Sequence, residues 1–291
     1  MNRTSSFKQR ASQHPVGSFL GILVTYSAIV GTAIATVFGT APPILRVAVY
    51  AWGPLISAGA AIWLAGESLR DWVGQLRNVR VSPWWYLAGI GVMLLGTEFE
   101  TIVVLLLGGD VSAPAAPLLQ YVLLFGVTLF LAGALEELGR RGFLQPRLQQ
   151  RFTAIGASVG IGLLWTAWHV PMILAGLGNF AAFWEYTLNV TAISILFGWL
   201  YNSTNAGLPV VMIAHASHNL PPAGMPTGTV PPVFNVLSGD TMAYLLCALT
   251  VVAYAGAQTL TRNGALPQIP GKVGKRSQRA ESFNVSQGTQ L

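Results

Sequence analysis

The chain has 291 residues, of which 53% are apolar and 9% charged, with a net charge of +6. Soluble domains carry about 25% charged residues, so this chain has too little polar surface for an ordinary soluble globule. A mean hydropathy of +0.55 names the bilayer as its solvent, and a lone cysteine, Cys247, excludes an internal disulfide framework.

A spanning helix needs roughly 20 mainly apolar residues. Eight such stretches follow one another at about 17–39, 45–66, 85–107, 117–138, 154–176, 181–201, 207–220 and 241–260. The seventh is short and ends at Pro221-Pro222. The expected fold is therefore all-α, a polytopic membrane helical bundle with about eight transmembrane helices. Residues 1–16 form an N-terminal segment, 17–116 carry three accessory helices, 117–260 carry five more, and 261–291 read as a disordered tail rich in Gly, Pro, Ser and Gln. Gly156 and Gly160 make a GxxxG spacing, which allows close helix contact.

The basic residues sort by loop. Arg3, Lys8 and Arg10 precede the first stretch, and Arg70, Arg77 and Arg80 follow the second. Arg140, Arg141, Arg147 and Arg151 follow the fourth; Arg262, Lys272, Lys275, Arg276 and Arg279 follow the eighth. With eight spans these regions share one side, and Arg46 alone falls on the other. The positive-inside rule names the crowded side cytoplasmic, which puts both termini there, in what would be a bacterial plasma membrane. The positive charge reflects topology and contact with membrane lipids, and no nucleic-acid partner is expected.

Ionisable groups inside a span are costly and mark function. Glu136 and Glu137 close the fourth stretch in the run ALEELGRRGFL. Glu137 and Arg141 stand four apart, share a helix face and can pair. Glu136 then turns elsewhere, into the bundle, where a carboxylate suits a general base. The competing account makes both glutamates boundary charges that balance the arginines. The fifth stretch carries Trp165 and His169 on one face, and the seventh carries His215, His218 and Asn219. A carboxylate, imidazoles and an amide form a hydrolytic inventory: some activate water, others donate to a developing oxyanion. Glu136, His169 and His215 can alternatively hold a divalent metal such as zinc, though HExxH is absent. Glu98, Glu100 and Glu185 are read as structural.

Glu136-Glu137-x-x-x-Arg141, Trp165-x-x-x-His169 and His215-x-x-x-Asn219, in that order over residues 117–220, resemble the motifs of the CPBP intramembrane proteases. That family includes the type II CAAX prenyl endopeptidases and the bacteriocin-processing and Abi-type proteins. Trp165 stands where the family often has Phe, and His218 is an additional histidine one turn from His215. The resemblance implies an endopeptidase that hydrolyses a peptide bond in a membrane-associated or lipidated peptide or protein. By position it makes Glu136 and His169 the activators of water, His215 and Asn219 the oxyanion donors, and Glu137 with Arg141 a structural pair. The resemblance fits either glutamate-activated water or a metal, and the expectation is the glutamate-type reaction without a metal. The competing functions are a non-catalytic scaffold or immunity protein of the same fold, and a small transporter using the same groups as a proton relay.

One tension stands in this reading. Glu136 closes the fourth stretch, whereas His169 lies about 22 Å along an ideal helix from the start of the fifth. The two meet only if the fourth span runs past residue 138, or the fifth starts late or tilts.

Overall fold

The computed structural model describes residues 3–114, 116–174 and 182–271. The ends of the fifth and sixth expected spans lie outside the described residues, as do Lys272, Lys275, Arg276 and Arg279 with the rest of the tail. The chain is a polytopic, all-α membrane bundle, and its helices are α1 (Arg3–Gln13), α2 (Pro15–Thr36), α3 (Pro43–Ala51), α4 (Gly53–Leu64), α5 (Leu69–Gly74) and α6 (Pro83–Leu106). After these come α7 (Leu118–Phe130), α8 (Glu136–Gly139), α9 (Gln145–Leu148), α10 (Ala154–Leu174), α11 (Phe183–Ser203), α12 (Leu208–His218) and α13 (Gly239–Ala255).

Proline in the first turn opens α2, α3, α4, α6 and α12, where the missing amide would have had no partner. Among the described residues five helical stretches are long and apolar enough to cross a membrane: Pro15–Thr36, Pro43–Leu64, Pro83–Leu106, Leu118–Leu148 and Ala154–Leu174. The expected eight thus divide into five full spans and three lesser helices. Helix α11 has the length but spends its interior on Asn189, Ser194 and Asn202, all buried in the bundle. Helices α12 and α13 are apolar but short. Outward-facing Val24, Leu106, Leu118, Leu119 and Leu123 give the bundle an apolar rim suited to lipid.

The fourth span departs most from expectation. It does not stop at residue 138 but continues to Leu148, 31 residues in all. Arg140, Arg141 and Arg147 are therefore not loop charges; all three are buried within that span. The run stays in the bundle because each guanidinium meets a carboxylate: Arg140 on Glu136, Arg141 on Glu137 and Arg147 on Glu67. The continuation also removes the tension over Glu136, which now lies inside the span.

That span is not one regular helix. It breaks at Leu131–Ala132, makes a 3-10 turn over Gly133–Leu135, runs as α8, and widens to a π-helical turn over Arg140–Leu144. Carbonyls freed by such breaks need new donors inside a membrane. Trp52 Nε1 donates to the Leu131 carbonyl at 2.8 Å, Trp72 Nε1 to Leu138 at 3.1 Å and Gln75 Nε2 to Gly142 at 3.1 Å. Tyr201 in turn donates to Gln75 Oε1 at 3.0 Å. The accessory segment 17–116 thus stitches the irregular span in place. π-Helical turns concentrate at functional sites.

Helices α10 and α11 pack closely, but not through Gly156 and Gly160. A Cβ at Gly160 would meet nothing, and one at Gly156 only its own neighbours Thr153 and Phe152. The contact uses Ser158 and Gly162 on α10 against Ser194 and Gly198 on α11. A Cβ on Gly162 would stand 2.7 Å from Thr191 Cα, and Ser194 Oγ donates to the Ser158 carbonyl at 2.6 Å.

Two short strands, β1 (Asp110–Val111) and β2 (Pro226–Thr227), pair antiparallel and join the loop after α6 to the loop after α12. Glu98 accepts from the Ala223 amide at 2.6 Å and Glu185 from the Ser238 amide at 2.7 Å, so both pin loops. In the tail expected to be disordered from residue 261, Thr261, Pro267 and Ile269 are buried. Just before the tail, Asn202 Nδ2 donates to the Thr259 carbonyl at 2.8 Å. The tail's Leu266 packs against the core, a contact that the polar composition hides.

Candidate active site

Three elements bring the polar groups together: α8 with its π-turn, α10 and α12. Glu137 lies fully buried with its Oε1 2.9 Å from His215 Nδ1 and its Oε2 3.1 Å from Arg141 Nη1. Arg141 also donates to the Ser194 carbonyl at 2.9 Å and to Ser194 Oγ at 2.8 Å, which anchors the pair on α11. Glu137 thus does more than pair with Arg141, since it also fixes the ring of His215.

Glu136 is buried beside it, one oxygen held by Arg140. Arg140 also donates to Glu137 Oε1 at 3.2 Å, and its guanidinium lies 3.8 Å from the centre of the Trp165 ring and 5.5 Å from that of Trp168. Stacking on an indole suits a planar, weakly hydrated cation. Sequence reasoning assigned Arg140 to a cytoplasmic loop. Its spacing of four from Glu136 was the available signal.

Trp165 is the shared wall. Its ring lies 5.3 Å from His215 and 6.3 Å from His169, centre to centre. His169 is half-buried, with Nδ1 3.0 Å from the Trp165 carbonyl and its ring edge-on to Trp168 at 4.8 Å and to Tyr186 at 5.7 Å. Anchoring Nδ1 to a carbonyl places the proton there, and Nε2 is left as an acceptor.

His215 and Asn219 face Gly133 at the broken point of the fourth span. A Cβ built on Gly133 would stand 2.7 Å from Asn219 Nδ2 and 2.8 Å from His215 Nε2. The two nitrogens therefore lie side by side and pack closely on Gly133, where a side chain would collide with both. Neither Gly133 nor this convergence is visible in the motifs. His218 turns the other way. Its Nδ1 is 3.1 Å from the Tyr244 hydroxyl, which donates to the Met93 carbonyl at 2.9 Å, so the structure does not bring His218 to the cluster.

The candidate metal set fares differently. Among the described residues no three His, Cys, Asp or Glu side chains form a group able to hold a metal ion. One oxygen of Glu136 is taken by Arg140, and His215 Nδ1 by Glu137. As placed, Glu136, His169 and His215 do not form such a group.

The family model described as Type II CAAX prenyl endopeptidase Rce1-like matches residues 118–221. The chain is also similar to a protein of Methanococcus maripaludis described as CAAX prenyl protease 2, at 28% identity over 100 residues. That match covers 32% of this chain and 37% of the relative. The chain thus spans little more than a third of the relative's length. The matched segment contains α7 to α12 and every residue of the cluster, and omits α1 to α6.

Proposed function

We propose that this chain, which belongs to the CPBP family through residues 118–221, is an intramembrane endopeptidase. The observation that carries the reading is the contact of Glu137 Oε1 with His215 Nδ1 at 2.9 Å. It ties the EExxxR run to the HxxxN helix beside the Trp165 wall that also meets His169.

In this reading Glu136, with His169, takes a proton from a water molecule, and the hydroxide adds to the scissile carbonyl carbon. Negative charge moves to the carbonyl oxygen, which accepts from His215 Nε2 and Asn219 Nδ2. Donors aimed at the developing oxyanion are worth several kcal/mol, roughly 2.7–4 each. The tetrahedral adduct collapses as the C–N bond breaks. The proton taken from water passes to the leaving amine, and the carboxylate is restored. Arg140 holds one oxygen of Glu136 and fixes its orientation, while Arg141 neutralises Glu137.

The substrate is a membrane-associated or lipidated peptide or a membrane-protein segment, reached from the cytoplasmic side, on which both termini also lie. The reaction uses no metal in this reading. The test is a comparison of native membranes containing wild type or Glu136→Ala, scored by terminal peptide mass spectrometry. A membrane protein whose new terminus appears only with wild type, and still appears after chelation, is expected. Identical termini in both membranes overturn the assignment of Glu136.

A further inference from the structure

A cavity of about 820 Å³ lies between α2, α3 and α10, outside the cluster of Glu136 and His215. It follows α2 from Leu23 to Ala35, about 18 Å at 1.5 Å per residue. Leu23, Ile34, Val47, Leu164 and Met172 make it apolar. Its few polar walls are already engaged on the inner side. Ser27 accepts from the Trp168 indole at 2.9 Å, and the Tyr50 hydroxyl donates to the Trp168 carbonyl at 2.9 Å.

One group in this cavity has no counterpart. Arg46, in the first turn of α3, lines the cavity at the end marked by Ala35 and Gly39. Its Nε is buried with no hydrogen-bond partner, and among the described residues no carboxylate pairs with it. Between Arg10 and Arg70 it is the sole Lys or Arg. A buried guanidinium nitrogen without an acceptor is costly, and more so beside lipid. A phosphate oxygen removes that cost, and the planar fork of arginine suits it.

We propose that this cavity is a lipid site that holds one acyl chain of an anionic phospholipid, with the head-group phosphate on Arg46. A long, narrow, apolar space with a single cation at one end fits a molecule of that polarity. A zwitterionic lipid carries its own ammonium beside the phosphate, which weakens its pull on a lone arginine. The site is independent of the proposed hydrolysis, because Trp168 stands between the cavity and His169.

The test is native mass spectrometry of the full chain from micelles containing equal phosphatidylglycerol and phosphatidylcholine. Wild type is expected to retain one phosphatidylglycerol in preference. Arg46→Gln is expected to lower that preference roughly fivefold, the worth of one arginine near a lipid head group. Gly31→Phe, which fills the cavity from α2, is expected to remove both lipids. Equal retention of the two lipids by wild type, or an unchanged preference in Arg46→Gln, means loosely held bulk lipid and overturns the site. Retained phosphatidylglycerol in a folded Gly31→Phe also overturns it. Should that variant unfold, the Arg46→Gln comparison decides alone.

Discussion

His215 Nδ1 stands 2.9 Å from Glu137 Oε1, and both side chains are buried. A carboxylate flanked by Arg141 at 3.1 Å and Arg140 at 3.2 Å accepts hydrogen bonds and does not donate them. The proton of the pair therefore sits on Nδ1. His215 Nε2 is then an acceptor while the ring is neutral, and a donor only once the ring is protonated. The role proposed for His215 as an oxyanion donor thus needs a proton on Nε2 while Glu137 Oε1 accepts from Nδ1 and fixes the ring. This is the logic by which a third residue orients a catalytic histidine.

Glu137→Gln follows from that contact. The amide is neutral, so it leaves the buried Arg141 without a counter-charge. Removing one partner of a buried pair costs about 3–5 kcal/mol. Proteolytic turnover should fall by at least about a hundredfold, and the melting temperature in detergent should drop together with it. A variant that keeps both full activity and wild-type melting would show that the contact carries neither role.

Gly133→Ala tests the close approach of His215 and Asn219. The added Cβ would sit 2.7 Å from Asn219 Nδ2 and 2.8 Å from His215 Nε2, both tighter than normal contact. The added methyl must push the ends of these two side chains aside, an overpacking cost of typically about 1–3 kcal/mol. Under the proposed chemistry kcat falls roughly 10²–10³-fold, as on loss of an oxyanion donor, with KM little changed. Kinetic comparison with Asn219→Ala checks this, since the two losses should not add. A Gly133→Ala enzyme with wild-type kcat removes the oxyanion from those two nitrogens.

The bundle was legible in the sequence because lipid forces every span to declare itself as an apolar run. The motif residues were legible too, since rare polar groups in such runs stand out. What stayed hidden was where the fourth span ended. The charges of Arg140, Arg141 and Arg147 read as a loop, because sequence shows a charge but not the carboxylate that neutralises it across the bundle. Glu67, the partner of Arg147, is 80 residues away. Gly133 was silent for a related reason, as its role is a close approach of His215 and Asn219 from a distant part of the chain. The packing of α10 on α11 was hidden for a third reason. GxxxG and SxxxG overlap within Gly156–Gly162, and only the partner helix selects between them.

Arg140 separates a positioning role from a topological one. Arg140→Leu leaves Glu136 buried without its cation, which should lower stability by about 3–5 kcal/mol. Arg140→Lys keeps a charge but loses the planar stack on Trp165 at 3.8 Å. Turnover should then fall in the order wild type, Lys, Leu, read on a peptide reporter at one temperature below both melting points. Equal turnover in all three would return Arg140 to a charge that merely sets orientation.

The last prediction concerns the frame that holds Arg141. Ser194 accepts from Arg141 Nη2 at 2.8 Å and donates to the Ser158 carbonyl at 2.6 Å, so helix spacing and ion-pair placement are one structure. Gly162→Val adds bulk where a Cβ alone would lie 2.7 Å from Thr191 Cα, a backbone atom that cannot swing aside. The helices must separate, and overpacking of this kind costs typically about 1–3 kcal/mol. Because Ser194 moves with α11, the variant should also lose turnover, although Gly162 belongs to none of the three motifs. Gly160→Val, directed where a Cβ meets nothing, should leave both melting temperature and turnover unchanged. If Gly160→Val proves the more damaging of the two, α10 packs through its GxxxG face and the described interface is incorrect.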